Sequence, residues 1–268
     1  MSPQHRLTDL PATARAVIED RTGPLTSVDM LSAGLNSPIA ARLLLDDGTS
    51  IFVKGMRTDH RWVWTQQREA DINRHTQGLA PRVLWHLTGQ GWDLLGFEHI
   101  DGVHANYTPG SPHLPLVLQT MSSLAATTAP SSIDLKTMPQ RMSAYVDDPR
   151  ALTAFDGSTL LHTDWKPDNV LITGNRARLV DWGWASRGAA WIDPALWVIW
   201  LIASGHTPHQ AETQVRAHPA WNTALVPSID AFTRAQARMW ESIARTDTPG
   251  QWTHHMHQAA LTWAKHRQ

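Results

Sequence analysis

The stretch that decides the fold reads His162-Thr163-Asp164-Trp165-Lys166-Pro167-Asp168-Asn169, and a second stretch, Leu179-Val180-Asp181-Trp182-Gly183, follows shortly after it. Short apolar runs at Thr159–His162 and Ala177–Asp181 predict β-strands that lead into the two stretches. The carboxylate and amide side chains therefore lie at strand ends, in loops on a rigid scaffold, where binding and catalytic residues are usually placed.

The oxygen-bearing side chains of these loops suit both a divalent cation and a hydroxyl nucleophile. Asn169 and Asp181 carry the hard oxygen atoms that Mg²⁺ prefers, at either end of a predicted hairpin. Asp164 stands five residues before Asn169, where a carboxylate can orient a hydroxyl and accept its proton. To catalyse phosphoryl transfer, a protein mainly has to position the reacting groups and neutralise the charge of the phosphates. A lone Asp-x-x-x-x-Asn is more typical of a polar turn, so this interpretation depends on features elsewhere in the chain.

Three features earlier in the chain favour a phosphotransferase over a polar turn. Lys54 ends the apolar strand Ile51-Phe52-Val53-Lys54, a position that fits a phosphate-binding lysine. Glu69 follows fifteen residues later on a predicted helix, from which it can hold Lys54 as an ion pair. The segment Phe97–Gly102 then joins a β-rich part of the chain to a helical part.

The predicted elements differ between the two parts of the chain. The first hundred residues favour hairpins at Arg42–Lys54 and Arg82–His99, with one main helix over Arg61–His75. The rest is mainly helical, with Ser228 and Thr248 predicted as N-caps of the last two helices. The remaining predicted helices lie near Leu114–Thr127, Pro194–Ala203, Pro208–Ala217, Ile229–Arg245 and Pro249–Lys265.

Composition excludes several classes of protein. The chain has 268 residues, 23 of them basic and 24 acidic, for a net charge of −1. This balance provides no broad field for nucleic acid or an anionic membrane, so neither is expected as a partner. The absence of cysteine excludes disulfides, thiolate metal sites and cysteine nucleophiles. The polar start, without the layout of a signal peptide, and the short apolar run at Pro194–Ala203 lead us to expect a cytoplasmic protein.

The motifs resemble those of the aminoglycoside phosphotransferase family, the small-molecule branch of the protein-kinase-like fold. The catalytic motif of that family, His-Gly-Asp with Asn five residues after Asp, is similar to His162-Thr163-Asp164 and Asn169, with Thr163 in place of Gly. The magnesium motif resembles Val180-Asp181-Trp182-Gly183, and a later Gly…Asp-x-Ala signature resembles Gly188 with Asp193-Pro194-Ala195. The resemblance spans roughly residues 31–203.

This resemblance implies a bilobal α+β fold, with a small β-rich lobe at residues 1–101 and a larger, mainly helical lobe at 102–268. It implies that Asp164 is the catalytic base and that Asn169 and Asp181 are magnesium ligands. ATP or GTP is the implied phosphoryl donor. The residues that the resemblance assigns to the nucleotide are Lys54 (α/β-phosphates), Glu69 (partner of Lys54), Glu98 (carbonyl to adenine), Ile100 (amide to adenine) and Ser37, at the end of the Leu31–Ser37 loop that replaces a Gly-rich loop.

Lys166, in the catalytic stretch, keeps two interpretations open. Lys166 either reaches the γ-phosphate, as in the protein-kinase loop, or faces solvent. Thr163 should leave the Asp164 carboxylate in place. His162 and Asp193 are interpreted as braces of the loop. Tryptophans are predicted to pack inward, including Trp165, Trp182, Trp200 and Trp240, while Trp184 and Trp191 stay candidates for the acceptor side.

The acceptor is the open part of the prediction. Acidic residues are sparse after Asp193, whereas a polycationic aminoglycoside needs clustered carboxylates. A hydroxyl of an antibiotic-like or sugar-like small molecule is therefore expected, in antibiotic resistance or biosynthesis. The first alternative is a metabolic kinase for an amino alcohol or sugar, of choline or homoserine type. The second is a pseudokinase, which the presence of Asp164, Asn169, Asp181 and Lys54 disfavours.

Overall fold

The computed structural model describes residues 9–31, 37–76, 78–246, 248 and 251–268. The chain divides into two units, Met1–Asp101 and Gly102–Gln268. The first unit is dominated by an antiparallel sheet and the second by helices, so the predicted α+β class is confirmed.

The first unit is built on a five-stranded antiparallel sheet with the order β1-β2-β3-β5-β4. Its helices α1 and α2 precede β1 and follow β3 in the chain. The elements of this unit are α1 (Ala12–Thr22), β1 (Leu25–Met30), β2 (Ile39–Leu45), β3 (Ser50–Arg57), α2 (Trp64–Asn73), β4 (Val83–Gly89) and β5 (Trp92–Glu98).

Strand β3 owes its central place to a tight turn and to alternating burial. The Asp47 carboxylate accepts a hydrogen bond from the backbone of Thr49 at 2.8 Å, and Gly48 takes φ 83° to close the β2–β3 hairpin. Ile51 and Val53 point into the apolar core, so Lys54 lies on the opposite face. The sequence prediction missed β1, which extends this sheet beyond β2.

The second unit holds two short antiparallel ladders among its helices. β10 pairs with β7, and β8 pairs with both β6 and β9. The elements are β6 (Val103–His104), α3 (His113–Ala125), α4 (Met138–Met142), β7 (Thr159–Leu161), β8 (Val170–Thr173), β9 (Arg176–Leu179), β10 (Ser186–Gly188), α5 (Ile192–Ala203), α6 (Pro208–Val215), α7 (Val226–Ala244) and α8 (Trp252–His266). Short 3₁₀ helices occupy Pro149–Phe155, Pro167–Asn169, Trp182–Trp184 and Pro219–Thr223.

Helix α5 is the core of this unit. Its sequence is apolar on nearly every side, and it packs against α6 and α8. A helix that is apolar all round must be surrounded by protein to remove that surface from water. Within the residues that the structure describes, no helix is long and apolar enough to cross a membrane.

Two predicted helix caps are wrong. Helix α7 begins at Val226, two residues before Ser228, and α8 begins at Trp252 rather than after a cap at Thr248. Side-chain caps occur instead at Thr137 and Thr207, where each threonine forms a capping box with a glutamine three residues later. The first of these boxes starts α4, which carries a residue of the candidate site.

Candidate active site

The loop that carries Asp164 is held by a buried carboxylate. Asp193 accepts hydrogen bonds from the backbone N–H groups of His162 at 2.9 Å and Thr163 at 3.0 Å, one on each oxygen. Asp193 lies in the first turn of α5, where a negative charge is favoured by the helix dipole. Burial nevertheless raises the pKa of Asp193. These two hydrogen bonds from Asp193 fit the predicted role of a brace for the loop that carries Asp164.

His162 connects the two motif stretches. Its Nδ1 accepts a hydrogen bond from the backbone N–H of Asp164 at 3.3 Å, and its Nε2 lies 3.0 Å from the carbonyl oxygen of Val180. Because a backbone N–H can only donate, Nδ1 is the acceptor and Nε2 carries the hydrogen that Val180 receives. The ring also packs edge-on against Trp182, with centroids 4.7 Å apart. His162 therefore ties the Asp164 loop to the residue before Asp181.

Thr163 adopts a backbone conformation that β-branched residues rarely take. Its φ of 68° lies in the left-handed region, which explains why the resembling family places glycine there. The Thr163 hydroxyl donates to the carbonyl oxygen of Trp184 at 2.9 Å and accepts from the Arg141 guanidinium at 2.7 Å. These hydrogen bonds offset the strain, so the predicted replacement keeps Asp164 in place at a local cost.

Asn169 is anchored to both motif stretches. The side-chain Nδ2 of Asn169 donates a hydrogen bond to the backbone carbonyl of Asp164 at 3.2 Å. The backbone carbonyl of Asn169 accepts a hydrogen bond from the backbone N–H of Val180 at 2.9 Å. Because the amide nitrogen faces the Asp164 loop, the Oδ1 atom projects from the other side of the amide. Asp181 follows Val180 and also takes a left-handed φ, of 64°.

The carboxylates of Asp164 and Asp181 influence each other electrostatically. Burial raises the pKa of Asp164, and the nearby negative charge of Asp181 raises it further, against lowering effects from His162, Asn169 and Lys166. A divalent cation would relieve the repulsion between the two carboxylates. An amide oxygen and a carboxylate are hard ligands, so Asn169 and Asp181 fit the magnesium ion that their motif implies.

Lys166 pairs with its own loop. Its ammonium lies 2.6 Å from the Asp168 carboxylate and 5.9 Å from the centre of the Trp252 ring. Its side chain is about one third exposed, at 34%. This arrangement lies between the two predicted alternatives, because the cation is neither buried in the loop nor simply solvated.

The first unit contains the predicted ion pair. Lys54 Nζ on β3 lies 2.9 Å from Glu69 Oε2 on α2, and the two side chains are only 12% and 4% exposed. A helix and the central strand of a sheet fix both ends of this pair. It holds an ammonium group in place, which is the property that a phosphate-binding lysine needs.

The other residues predicted for the nucleotide lie near strand ends in the first unit. Glu98 ends β5, where its N–H donates to the Arg82 carbonyl at 2.9 Å, and Ile100 comes two residues later. Ser37 is buried just before β2. The rest of the predicted loop, residues 32–36, lies outside the described residues.

A family model and solved structures agree with these motifs. The model described as "Phosphotransferase enzyme family" matches residues 133–226, which include Asp164, Asn169, Asp181 and Asp193. The resemblance to this family is confirmed. No curated protein matches the chain.

The structural neighbours share the fold at low sequence identity. A thermostable aminoglycoside phosphotransferase APH(4)-Ia variant, in complex with ADP and hygromycin B, is 18% identical with a TM-score of 0.63, covering 93% of this chain and 98% of that one. The aminoglycoside phosphotransferase of Alicyclobacillus acidocaldarius is 14% identical, with a TM-score of 0.65 and coverages of 96% and 94%. Choline kinase LicA of Streptococcus pneumoniae is 13% identical, with a TM-score of 0.66 and coverages of 94% and 99%.

Asp164 lines a pocket within the second unit. The pocket is mostly apolar, with Asp164, Thr163, Arg141 and Gln236 as its polar side chains. Its cavity has a volume of about 50 Å³. The other lining residues are Met138, Met142, Leu196, Ile199, Trp200, Met239, Trp240 and Met256, contributed by α4, α5, α7 and α8.

The tryptophan predictions hold in part. Trp165 and Trp182 are buried as predicted, and Trp191 packs against Phe155 and Phe232 rather than lining the pocket. Trp200 and Trp240, predicted as packing residues, line the pocket instead. The sequence prediction also missed Arg141 and Gln236, because neither belongs to a motif. The sequence does contain one indication for Arg141, since the capping-box pair Thr137 and Gln140 marks the start of the helix that contains it.

Proposed function

We propose that this protein transfers the γ-phosphoryl group of ATP to a hydroxyl group of a small molecule. The observation that carries the proposal is the position of Asp164, which lines an apolar pocket and whose backbone carbonyl accepts a hydrogen bond from the Asn169 side chain. A carboxylate that lines a pocket, with two hard oxygen ligands in the adjoining loops, suits phosphoryl transfer.

In the proposed reaction, Asp164 orients the acceptor hydroxyl and takes its proton. The acceptor oxygen forms a bond to the γ-phosphorus while the bond from that phosphorus to the β–γ bridging oxygen breaks, which releases ADP. Asn169 and Asp181 hold Mg²⁺, which neutralises phosphate charge when it is bound. The His162 and Asp193 contacts keep the Asp164 backbone fixed, so orientation is prepared before the acceptor binds.

The nucleotide is assigned to four residues and one carboxylate partner of the first unit, Lys54, Glu98, Ile100 and Ser37 with Glu69, and to Lys166 of the second unit. Lys54, positioned by Glu69, binds the α/β-phosphates, while the Glu98 carbonyl and the Ile100 amide bind the adenine edge. Ser37 contributes to covering the phosphates, and Lys166 supports the γ-phosphate. Neighbours crystallised with ADP or AMP-PNP support an adenine nucleotide over GTP.

The acceptor is proposed to be antibiotic-like or sugar-like, in resistance or biosynthesis in the cytoplasm. An amino alcohol is the second candidate, and Trp200 and Trp240 in the pocket wall are the observation that favours it, since aromatic rings bind ammonium groups. A pseudokinase is disfavoured because Lys54, Asp164, Asn169 and Asp181 are all present.

The experiment is a product-mass assay with ATP, Mg²⁺ and a panel of hydroxylated compounds. A mass gain of one phosphoryl group is expected on at least one compound. Asp164→Asn should lower turnover by about 10³-fold with nucleotide affinity largely kept. Asp156→Asn, which changes an exposed carboxylate eight residues earlier, is the matched control and should leave turnover unchanged. Equal turnover by the wild type and Asp164→Asn would refute the role of Asp164.

A further inference from the structure

Helix α2 meets the sheet of the first unit through polar side chains rather than through an apolar face. Of its ten residues, all of which the structure describes, Ile72 is the one apolar residue that is buried. Gln66 and Glu69 are buried as well, although amide and carboxylate groups are costly to remove from water unless they are hydrogen-bonded. The place of this helix against the sheet therefore depends on specific hydrogen bonds, which are directional where apolar packing is not.

Gln66 ties the first half of α2 to strand β5. Its Nε2 donates to the Asp93 backbone carbonyl at 2.7 Å and to the Asp93 carboxylate at 2.8 Å. Asp93 lies opposite Met56 in the ladder of β3 and β5, and Met56 is two residues beyond Lys54. The Asp93 and Lys54 side chains therefore lie on the same face of the sheet, the face that Gln66 and Glu69 reach from α2.

Side chains of strand β4 hold the Asp93 carboxylate from the side of the sheet. The Nε2 atom of His86 lies 2.9 Å from Asp93 Oδ1, and the Thr88 hydroxyl donates to Asp93 Oδ2 at 3.3 Å. Both residues belong to the strand that pairs with β5. With Gln66 included, each oxygen of this buried carboxylate has a donor. The Asp93 carboxylate is thus a fixed point on the sheet to which α2 is attached.

Asn73 ties the last residue of α2 to the start of strand β4. Its Nδ2 donates to the Pro81 carbonyl at 2.7 Å, and its Oδ1 accepts from the Val83 N–H at 2.8 Å. Glu69 comes between the two attached residues on the helix. Because residues three or four apart share one side of a helix, Gln66, Glu69 and Asn73 all face the sheet. Glu69 is therefore held between two attachments.

We propose that Asp93 and Asn73 are positioning residues for the nucleotide site, because they set where α2 presents Glu69 to Lys54. The proposal rests on the function proposed above, in which Lys54 binds the α/β-phosphates, and it adds two residues that act through Glu69. Displacing α2 would lengthen the 2.9 Å ion pair and leave the ammonium less fixed. Phosphate binding would then be weaker, because the lysine has to be ordered when the nucleotide arrives.

The experiment measures the Kd for ADP, with Mg²⁺ present, by isothermal titration calorimetry, since ADP carries the two phosphates assigned to Lys54. Gln66→Leu removes the donor to Asp93 and should raise this Kd about tenfold, the equivalent of one charge-assisted hydrogen bond. The variant should fold, because it also removes an amide oxygen that is buried without a hydrogen-bond partner among the described residues.

Gln67→Leu is the matched control, because it makes the same change at the next residue, which is exposed. It should bind ADP as the wild type does. A loss of stability in Gln66→Leu with an unchanged Kd for ADP is the result expected of a purely structural contact, and it would overturn the proposal.

Changes at the positioning residues test the same route. Asp93→Ala should raise the Kd for ADP as Gln66→Leu does, and Asn73→Ala should raise it too. Asp93→Asn should keep most of the affinity, because an amide oxygen still accepts from Gln66 and His86. In the transfer assay these effects should appear in KM for ATP rather than in kcat, since the α/β-phosphates are bound both before and during transfer. A fall in kcat alone would overturn the proposal.

A background without the lysine ammonium separates positioning from a general loss of structure. Lys54→Met should bind ADP weakly, and adding Gln66→Leu to it should change the Kd by no more than about twofold, because the two changes act on one interaction. A further rise of about tenfold in this background would show that Gln66 acts by another route, and would overturn the proposal.

Failure of the proposed function would look different. Lys54→Met that binds ADP as tightly as the wild type would refute both the role of Lys54 and the positioning of it. ADP binding that depends on Lys54 but not on Gln66 would refute only the positioning. ADP binding that depends on both, without a phosphorylated product from any acceptor, would support the positioning and count against phosphoryl transfer.

Discussion

Lys54 and Asp164 lie at strands of the two units, yet different structures hold them. Lys54 sits inside regular strand β3 and reaches Glu69 on a regular helix, with an ion pair of 2.9 Å. Asp164 lies beyond the end of β7, in a loop that contains Thr163 at φ 68°. The conformation of this loop depends on hydrogen bonds from its backbone to the Asp193 carboxylate. Regular elements position the first group, whereas a strained loop and its braces position the second.

The difference separates two ways of building a charged site. An ion pair on a strand and a helix needs no unusual backbone, so its contribution is mainly the mutual compensation of two buried charges. A loop with left-handed Thr163 and Asp181 would relax without hydrogen bonds from elsewhere in the unit. The Asp164 loop should therefore respond to changes at residues distant in sequence, and the Lys54 pair to changes within the pair and at the contacts that attach α2 to the sheet.

The largest effect is expected from breaking the brace. Asp193→Ala leaves the His162 and Thr163 N–H groups buried without their acceptor, so the free energy of unfolding should fall by about 4 kcal/mol. Urea unfolding measures this loss. The exposed Asp156→Ala is the control and should stay close to wild type. A loss as small as the control's would show that the loop does not depend on Asp193.

A smaller effect is expected from breaking the ion pair. Glu69→Leu leaves the Lys54 ammonium mostly buried without its acid, which should cost about 3 kcal/mol. The double variant Lys54→Met/Glu69→Leu should recover most of that loss, because no uncompensated charge remains. Urea unfolding of the single and double variants tests this. Additive losses in the double variant would contradict the account of the pair as mutual compensation.

The smallest effect is expected at Thr163. Thr163→Gly relieves the left-handed strain but loses the hydroxyl, so stability should stay within about 1 kcal/mol of wild type. Thr163→Val keeps the strain and loses the hydroxyl, and it should cost about 2 kcal/mol. Thermal unfolding of the two variants sharpens the comparison. Equal stability of Gly and Val at this position would mean that the backbone there is not strained.

Much of the candidate site could be predicted from the sequence, because it depends on residues that are close together along the chain. The spacing of Asp164 and Asn169, and the pairing of Lys54 on a strand with Glu69 on the following helix, depend on short segments, so pattern and order suffice to predict them. The strand that carries Lys54 continues to Arg57, so its predicted end at Lys54 was wrong. The predicted caps at Ser228 and Thr248 were wrong because boundaries depend on where packing ends a helix. Strand β1 was missed because its pairing with β2 is what makes Leu25–Met30 a strand.

The sequence by itself determined the α+β class, the charged residues proposed for the candidate site, and the absence of thiol chemistry, because each follows from residue types and short spacings. Only the tertiary structure decided that Arg141, Gln236, Trp200 and Trp240 share a pocket with Asp164. These four residues come from three helices spread over the second unit, and helix packing alone brings them together. The tertiary structure also explains how Thr163 tolerates a backbone conformation suited to glycine. Its hydroxyl forms hydrogen bonds with Arg141 and Trp184, and these partners come together only in the folded chain.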